Sequence, residues 1–176
     1  PNTKNLRDLQ KPELLEKILK NVKSINVSLK SPVPIFIKIA PDLYKNNIIE
    51  ILNVCEENGV SGLIATNTTI SSKTLKKPTS FEGGLSGKPL FKPSNNVLRL
   101  LAKKKNASTA LIGVGGIFSA TDIYEKIKMG ASAVQIYTSF VYNGPRHVKK
   151  MEVELKKLLL NDGYSTIDSA VGTSLR

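Results

Sequence analysis

Pro34-Ile-Phe-Ile-Lys-Ile-Ala40 is a short β-branched run opened by a proline, the composition of a buried strand. Strand alternation puts Ile35, Ile37 and Ile39 on one face and Phe36, Lys38 and Ala40 on the other. Downstream, Leu43 to Asn58 has helical periodicity. Ile48, Ile51, Leu52 and Cys55 share a side, and Asn58-Gly59 supplies the stop. Strand followed by amphipathic helix is one βα unit, and three more follow. Gly62 to Thr66 is a strand, separated by a long polar stretch from a helix over Pro93 to Lys104. Ala110 to Val114 is the next strand, its helix announced by Ser119-Ala-Thr-Asp122 and stopped at Met129-Gly130. Ala133 to Tyr137 is the last strand, and the closing helix carries Val148, Met151, Leu155, Leu158 and Leu159 on one side. A leading helix over Pro12 to Val22 precedes the series.

Repeated βα alternation defines an α/β fold with a parallel sheet. Four units in roughly 140 residues are half of a (β/α)8 TIM barrel of about 250 residues, and they also suit a small doubly wound sheet; periodicity does not choose between them. A free-standing half barrel leaves two strand edges open. With no initiator methionine at Pro1, the sequence reads as the C-terminal half of a single barrel domain spanning 1–176, its N-terminal half lying outside this sequence.

Composition narrows the function. Among the 176 residues 40% are apolar and 23% charged, which is globular rather than disordered or fibrous. No apolar stretch approaches the roughly 20 residues of a membrane span. The single cysteine, Cys55, closes no intrachain disulfide, and in a helix it reads as a small core residue. The net charge of +12 comes from lysines scattered over the sequence, including Lys73, Lys76, Lys77 and Lys103 to Lys105. They are not interleaved with aromatic residues, and tryptophan is absent, which argues against a nucleic-acid stacking platform.

Three features carry chemistry. Lys38 interrupts an apolar strand near its carboxyl end: either it points into the mouth of the sheet toward a counter-charge or anionic ligand, or it snorkels and pairs with an acid such as Asp42. The stretch Asn67 to Lys92 has the length of a binding loop. Its Gly83-Gly-Leu-Ser-Gly-Lys88 is not a P-loop, because Glu82 stands where the first glycine belongs and Pro89 replaces Ser or Thr. The Asn67-Thr-Thr cluster by itself reads as turn chemistry. Gly113-Val-Gly-Gly116 ends a strand before a helix; Phe118 breaks the dinucleotide fingerprint, yet adjacent glycines there let backbone N–H groups approach a phosphate. In barrels a phosphate often sits at the ends of the last two strands, where this turn and Tyr137-Thr138 fall.

These motifs occur in an order that resembles the dihydroorotate dehydrogenase family. The resemblance rests on Pro1-Asn-Thr with Leu6-Arg7 and Leu9-Gln10, Phe36-Ile-Lys-Ile-Ala-Pro-Asp42, Ala65-Thr-Asn-Thr-Thr69 and Gly83-Gly-Leu-Ser-Gly-Lys-Pro-Leu90. It continues through Ile112-Gly-Val-Gly-Gly116, Lys126 to Ser132 and Gln135-Ile-Tyr-Thr138. Pro-Asn-Thr with Leu-Arg downstream is similar to the quinone-linked, membrane-associated class more than to the soluble fumarate- or NAD-linked classes. Asn143-Gly-Pro-Arg146 departs from the family's commoner double proline.

The resemblance implies a flavoprotein oxidoreductase of pyrimidine biosynthesis that binds FMN in a TIM barrel and oxidises dihydroorotate to orotate, with quinone as acceptor. Lys38 and Thr66 would contact the flavin, and Gly87, Gly116, Tyr137 and Thr138 would hold it and its phosphate. Asn2, Asn67 and Thr68 would bind the substrate. The family's catalytic base, serine in the quinone-linked class, would fall just before Pro1; neither Cys55 nor His147, read as a surface residue at a helix start, occupies that position. The quinone site and membrane anchor would lie in preceding helices, at the mitochondrial inner membrane in a eukaryote or the cytoplasmic side of the membrane in a bacterium. The alternatives are a soluble dihydroorotate dehydrogenase using fumarate or NAD, and a non-catalytic phosphate-binding α/β module.

Overall fold

The computed structural model describes residues 6–73, 75 and 83–175. Its centre is a parallel sheet of β1 (Phe36–Ile39), β2 (Gly62–Ala65), β3 (Ala110–Val114) and β4 (Ala133–Gln135), in the order β1-β2-β3-β4. Consecutive order without reversal is the barrel arrangement; a doubly wound sheet reverses its strand order at a switch point. Topology therefore settles what periodicity left open. The register pairs Lys38 with Ile64, Ile64 with Ile112 and Ile112 with Ala133.

Helices α1 (Pro12–Ser28), α2 (Lys45–Glu57), α3 (Phe91–Lys104), α4 (Ala120–Lys128), α5 (Thr138–Asn143), α6 (Pro145–Asn161) and α7 (Ile167–Ala170) connect or flank the strands. Ile39, Leu63, Ala65 and Leu111 form one core with Leu15 and Leu19 of α1, Ile48, Ile51, Leu52 and Cys55 of α2, and Val97, Leu98 and Leu101 of α3. Ile37 packs on its margin. A second cluster joins Ile123, Tyr124 and Ile127 of α4 to Met151 and Leu159 of α6. On the opposite sheet face Phe36, Ile64, Ile112 and Val114 are only half-buried and Lys38 is exposed, so the helices clothe one side of the sheet. Leu98 has no exposed surface, and Leu98→Ala is expected to cost about 2–5 kcal/mol, read as a lower denaturant midpoint at unchanged slope.

Several boundaries differ from the sequence reading. The leading helix runs past Val22 to Ser28, since no proline or glycine stops it before Pro32; the Asn26 side chain then brackets the return by bonding both N and O of Val33, at 2.9 Å each. β1, β2 and β4 are each shorter than expected. α3 begins at Phe91, two residues before Pro93, which the first turn of a helix accommodates. Ser119 caps α4 as predicted, its hydroxyl accepting from Asp122 N.

Candidate functional site

The carboxyl ends of the strands surround a cavity of about 230 Å³. Lys38 enters from β1, Thr66, Asn67 and Thr68 follow β2, the turn Gly115 to Phe118 follows β3, and Gln135 to Ser139 follow β4. Ser86 and Gly87 reach in from the long loop. Of the residues singled out in the sequence, Lys38, Thr66, Asn67, Thr68, Gly87, Gly116, Tyr137 and Thr138 thus line one space. Asn2 lies outside the described residues.

Hydrogen bonds explain how the loops reach this end. The Asp42 carboxylate accepts from the Thr69 hydroxyl and from Ile70 N at 3.1 Å, so it anchors the segment after β2 rather than pairing with Lys38. Of the two readings of Lys38, its place in the mouth of the sheet is the one seen: it lines the cavity with its side chain exposed, and no described acid forms an ion pair with it. Turn chemistry at Asn67 is present, its Oδ1 accepting from Thr68 N at 2.9 Å, and it coexists with a place in the cavity wall. The Thr66 hydroxyl donates to Asn67 O at 2.9 Å. Thr69 and Leu85 form an antiparallel bridge that joins the two ends of the long loop, and Thr138 donates to Ser86 Oγ at 3.0 Å. A Cβ on Gly87 would lie 3.3 Å from Thr138 Cγ2, so glycine permits this approach.

A clasp missed in the sequence joins the loop to the turn after β3. The Lys88 ammonium meets Asp122 Oδ2 at 2.7 Å, and the same oxygen accepts from Phe118 N at 2.8 Å. Burial alone would raise the Asp122 carboxyl, but bonds from Lys88, Phe118 N and Ser119 outweigh it and hold the group below its ordinary value. A depressed carboxylate stabilises the fold above its unfolded pKa, and that contribution disappears as pH falls through the folded value. Stability should therefore fall as pH drops below the ordinary carboxylate value of about 4 and toward the lower folded one, and Asp122→Asn should flatten that fall in urea titrations. An unchanged pH slope in the variant would contradict the clasp.

The remaining candidates separate cleanly. Cys55 faces the core, its thiol pushed up to about 12 by burial and secondarily by Glu56, so it is protonated at neutral pH and far from nucleophilic use. His147 is not the surface residue expected: it is half-buried, with Nε2 3.1 Å from Phe118 O, joining α6 to the same turn. Ser139, absent from the sequence-based set, has a buried hydroxyl without a hydrogen-bond partner, and it lines the cavity. Its neighbours Tyr137, Phe140, Val141 and Tyr142 are each exposed in this chain, and Tyr137 also lines the cavity. Neither feature has a local signature, since α5 is only six residues long.

A sheet of consecutive parallel strands with a ligand-sized cavity at its carboxyl ends defines a (β/α)-barrel protein, of which this chain supplies four units. The family model described as dihydroorotate dehydrogenase matches residues 1–159, and the chain belongs to that family. It is 44% identical over 174 residues to a dihydroorotate dehydrogenase (quinone) of Cereibacter sphaeroides, covering 98% of this chain and 49% of that protein. A dihydroorotate dehydrogenase (quinone) of Christiangramia forsetii is 47% identical over 156 residues, covering 88% of this chain and 46% of that protein. A crystal structure of ligand-free type DHODH from Eimeria tenella superposes with a TM-score of 0.94 at 35% identity, over 100% of this chain and 54% of that one. The chain spans about half the length of the curated relatives it matches.

Proposed function

We propose that the whole protein oxidises dihydroorotate to orotate with FMN as cofactor and quinone as final acceptor. The observation that carries this reading is the convergence of Lys38, Thr66, Gly87, Gly116, Tyr137 and Thr138 on one cavity. The donor set fits a phosphorylated flavin: the unpartnered, buried Ser139 hydroxyl is a donor awaiting an anion, and the glycine turn lets backbone approach it closely. Family membership supports the substrate, and the quinone-type relatives support the acceptor.

In this reading FMN supplies the hydride acceptor for forming the ring double bond of orotate. Lys38, a cation without a partner acid among the described residues, favours negative charge beside it. Asn2, Asn67 and Thr68 hydrogen-bond the substrate ring and carboxylate and hold the reacting carbon in place. The proton leaving the adjacent carbon is taken by a base assigned to the residue preceding Pro1. Among the described residues no helix is long and apolar enough to cross a membrane. We place the membrane association in the preceding half of the domain, at the mitochondrial inner membrane or the cytoplasmic side of a bacterial one.

Full-length protein tests this directly. Dihydroorotate should bleach a flavin absorption band and a quinone should restore it. Recovery with fumarate or NAD but not quinone would move the protein to the soluble class, and purified protein without flavin would end the proposal.

A further inference from the structure

Lys126 is a lysine with no exposed surface, on α4, directly behind the turn that follows β3. Its ammonium donates to Asn95 Oδ1 at 2.6 Å and to Ser94 Oγ at 2.9 Å, and it lies 5.1 Å from the centre of the Phe91 ring. These acceptors are neutral, and no described carboxylate forms an ion pair with it; Glu125 is reached only through Asn95 Nδ2, at 3.1 Å. A buried ammonium is costly unless a counter-charge offsets it. Burial pulls Lys126 down to about 8, with Glu125 and Asp122 opposing, so it remains mostly charged at neutral pH.

The same network reaches the cavity wall. Ser94 Oγ is 3.0 Å from Phe91 O and 3.3 Å from Gly115 O, and Gly115 lines the cavity. A Cβ on Gly113 would lie 3.0 Å from Lys126 Cδ, so the aliphatic stem of the lysine also packs against the end of β3. The glycine backbone is thus a thin partition, with an incompletely compensated cation on one side and the unpartnered Ser139 hydroxyl lining the cavity on the other. An anion in the cavity would complete both.

We infer that Lys126 is a positioning residue of the phosphate subsite, its ammonium holding the glycine turn through Ser94 and supplying from behind the positive charge that the phosphate of FMN matches. The inference rests on the proposed FMN reading and extends it to a side chain that does not line the cavity. A lysine serving stability alone would affect flavins with and without a phosphate equally; this one discriminates between them.

The test titrates full-length apoprotein with FMN and with riboflavin, following flavin fluorescence, for wild type, Lys126→Met and Ser94→Ala. Wild type should prefer FMN. Lys126→Met should weaken FMN binding by about tenfold or more while riboflavin binding changes by less than about twofold. Ser94→Ala, which keeps the ammonium but cuts its link to the turn, should narrow the preference in the same direction and decides the question if Lys126→Met does not fold. Folded variants with an unaltered FMN-to-riboflavin ratio overturn the role of Lys126. A wild type that binds both flavins equally overturns the phosphate reading instead, and the inference with it.

Discussion

Lys38→Ala in the full-length protein is expected to slow dihydroorotate-driven flavin reduction on the order of 10²-fold, the scale of losing one preorganised electrostatic contact in a reacting site. Its stability should change much less than its rate, because no described acid pairs with Lys38 and no ion pair is lost. Lys38 instead lines the cavity at the carboxyl end of β1. Anaerobic rapid mixing reads the first effect and thermal unfolding the second. A variant reduced at the wild-type rate would remove Lys38 from the chemistry, and a large loss of stability would return it to a structural role.

Gly116→Ala should have the largest effect among the cavity glycines. Its φ is +72°, and an added Cβ would stand 2.5 Å from Phe91 Cβ and 2.6 Å from Phe91 N and Cα. Those atoms begin α3 and cannot yield as a flexible side chain would, so turn and helix must separate. We expect a loss of about 1–3 kcal/mol from overpacking together with loss of bound FMN on gel filtration. Gly163→Ala is the control: its φ is +82° with nothing within 4 Å of an added Cβ, so only the left-handed backbone is penalised, by about 1–2 kcal/mol, and flavin should be retained. If Gly116→Ala binds flavin as wild type does, the close turn is not what shapes the site.

The two predictions draw on different levels of organisation. Lys38 is conspicuous in the sequence because a charge interrupts an apolar strand, and alternation alone assigns it to the face opposite Ile37 and Ile39. That face is the one the helices leave open. What alternation could not supply was the partner of Asp42, which is the segment after β2 at Thr69 and Ile70 rather than Lys38. The close approach of Gly116 to Phe91 was equally hidden, since it joins residues on successive units whose spacing depends on how α3 packs.

The same distinction runs through the rest of the site. Motif order along the chain places the glycine turn, Asn67-Thr68 and Tyr137-Thr138 at strand ends, and parallel strands bring all their carboxyl ends to one side. The Lys88–Asp122 clasp, the contact of His147 with Phe118 O and the unpartnered Ser139 hydroxyl have no such trace. Each joins residues from separate elements, and isolated Lys, His and Ser read as surface or turn residues.

By itself the sequence determined the βα rhythm, the span of β3, the cap at Ser119 and the core face of α2; on α6 it assigned Met151 and Leu159 correctly to the core but also Val148, which is exposed. These depend on interactions within a few residues, where periodicity and backbone preference act. Only the tertiary structure decided between barrel and doubly wound sheet and buried Lys126 behind the glycine turn. Strand order and burial are set by contacts between distant segments, and a lysine's charge says nothing of whether water or protein surrounds it until those segments meet.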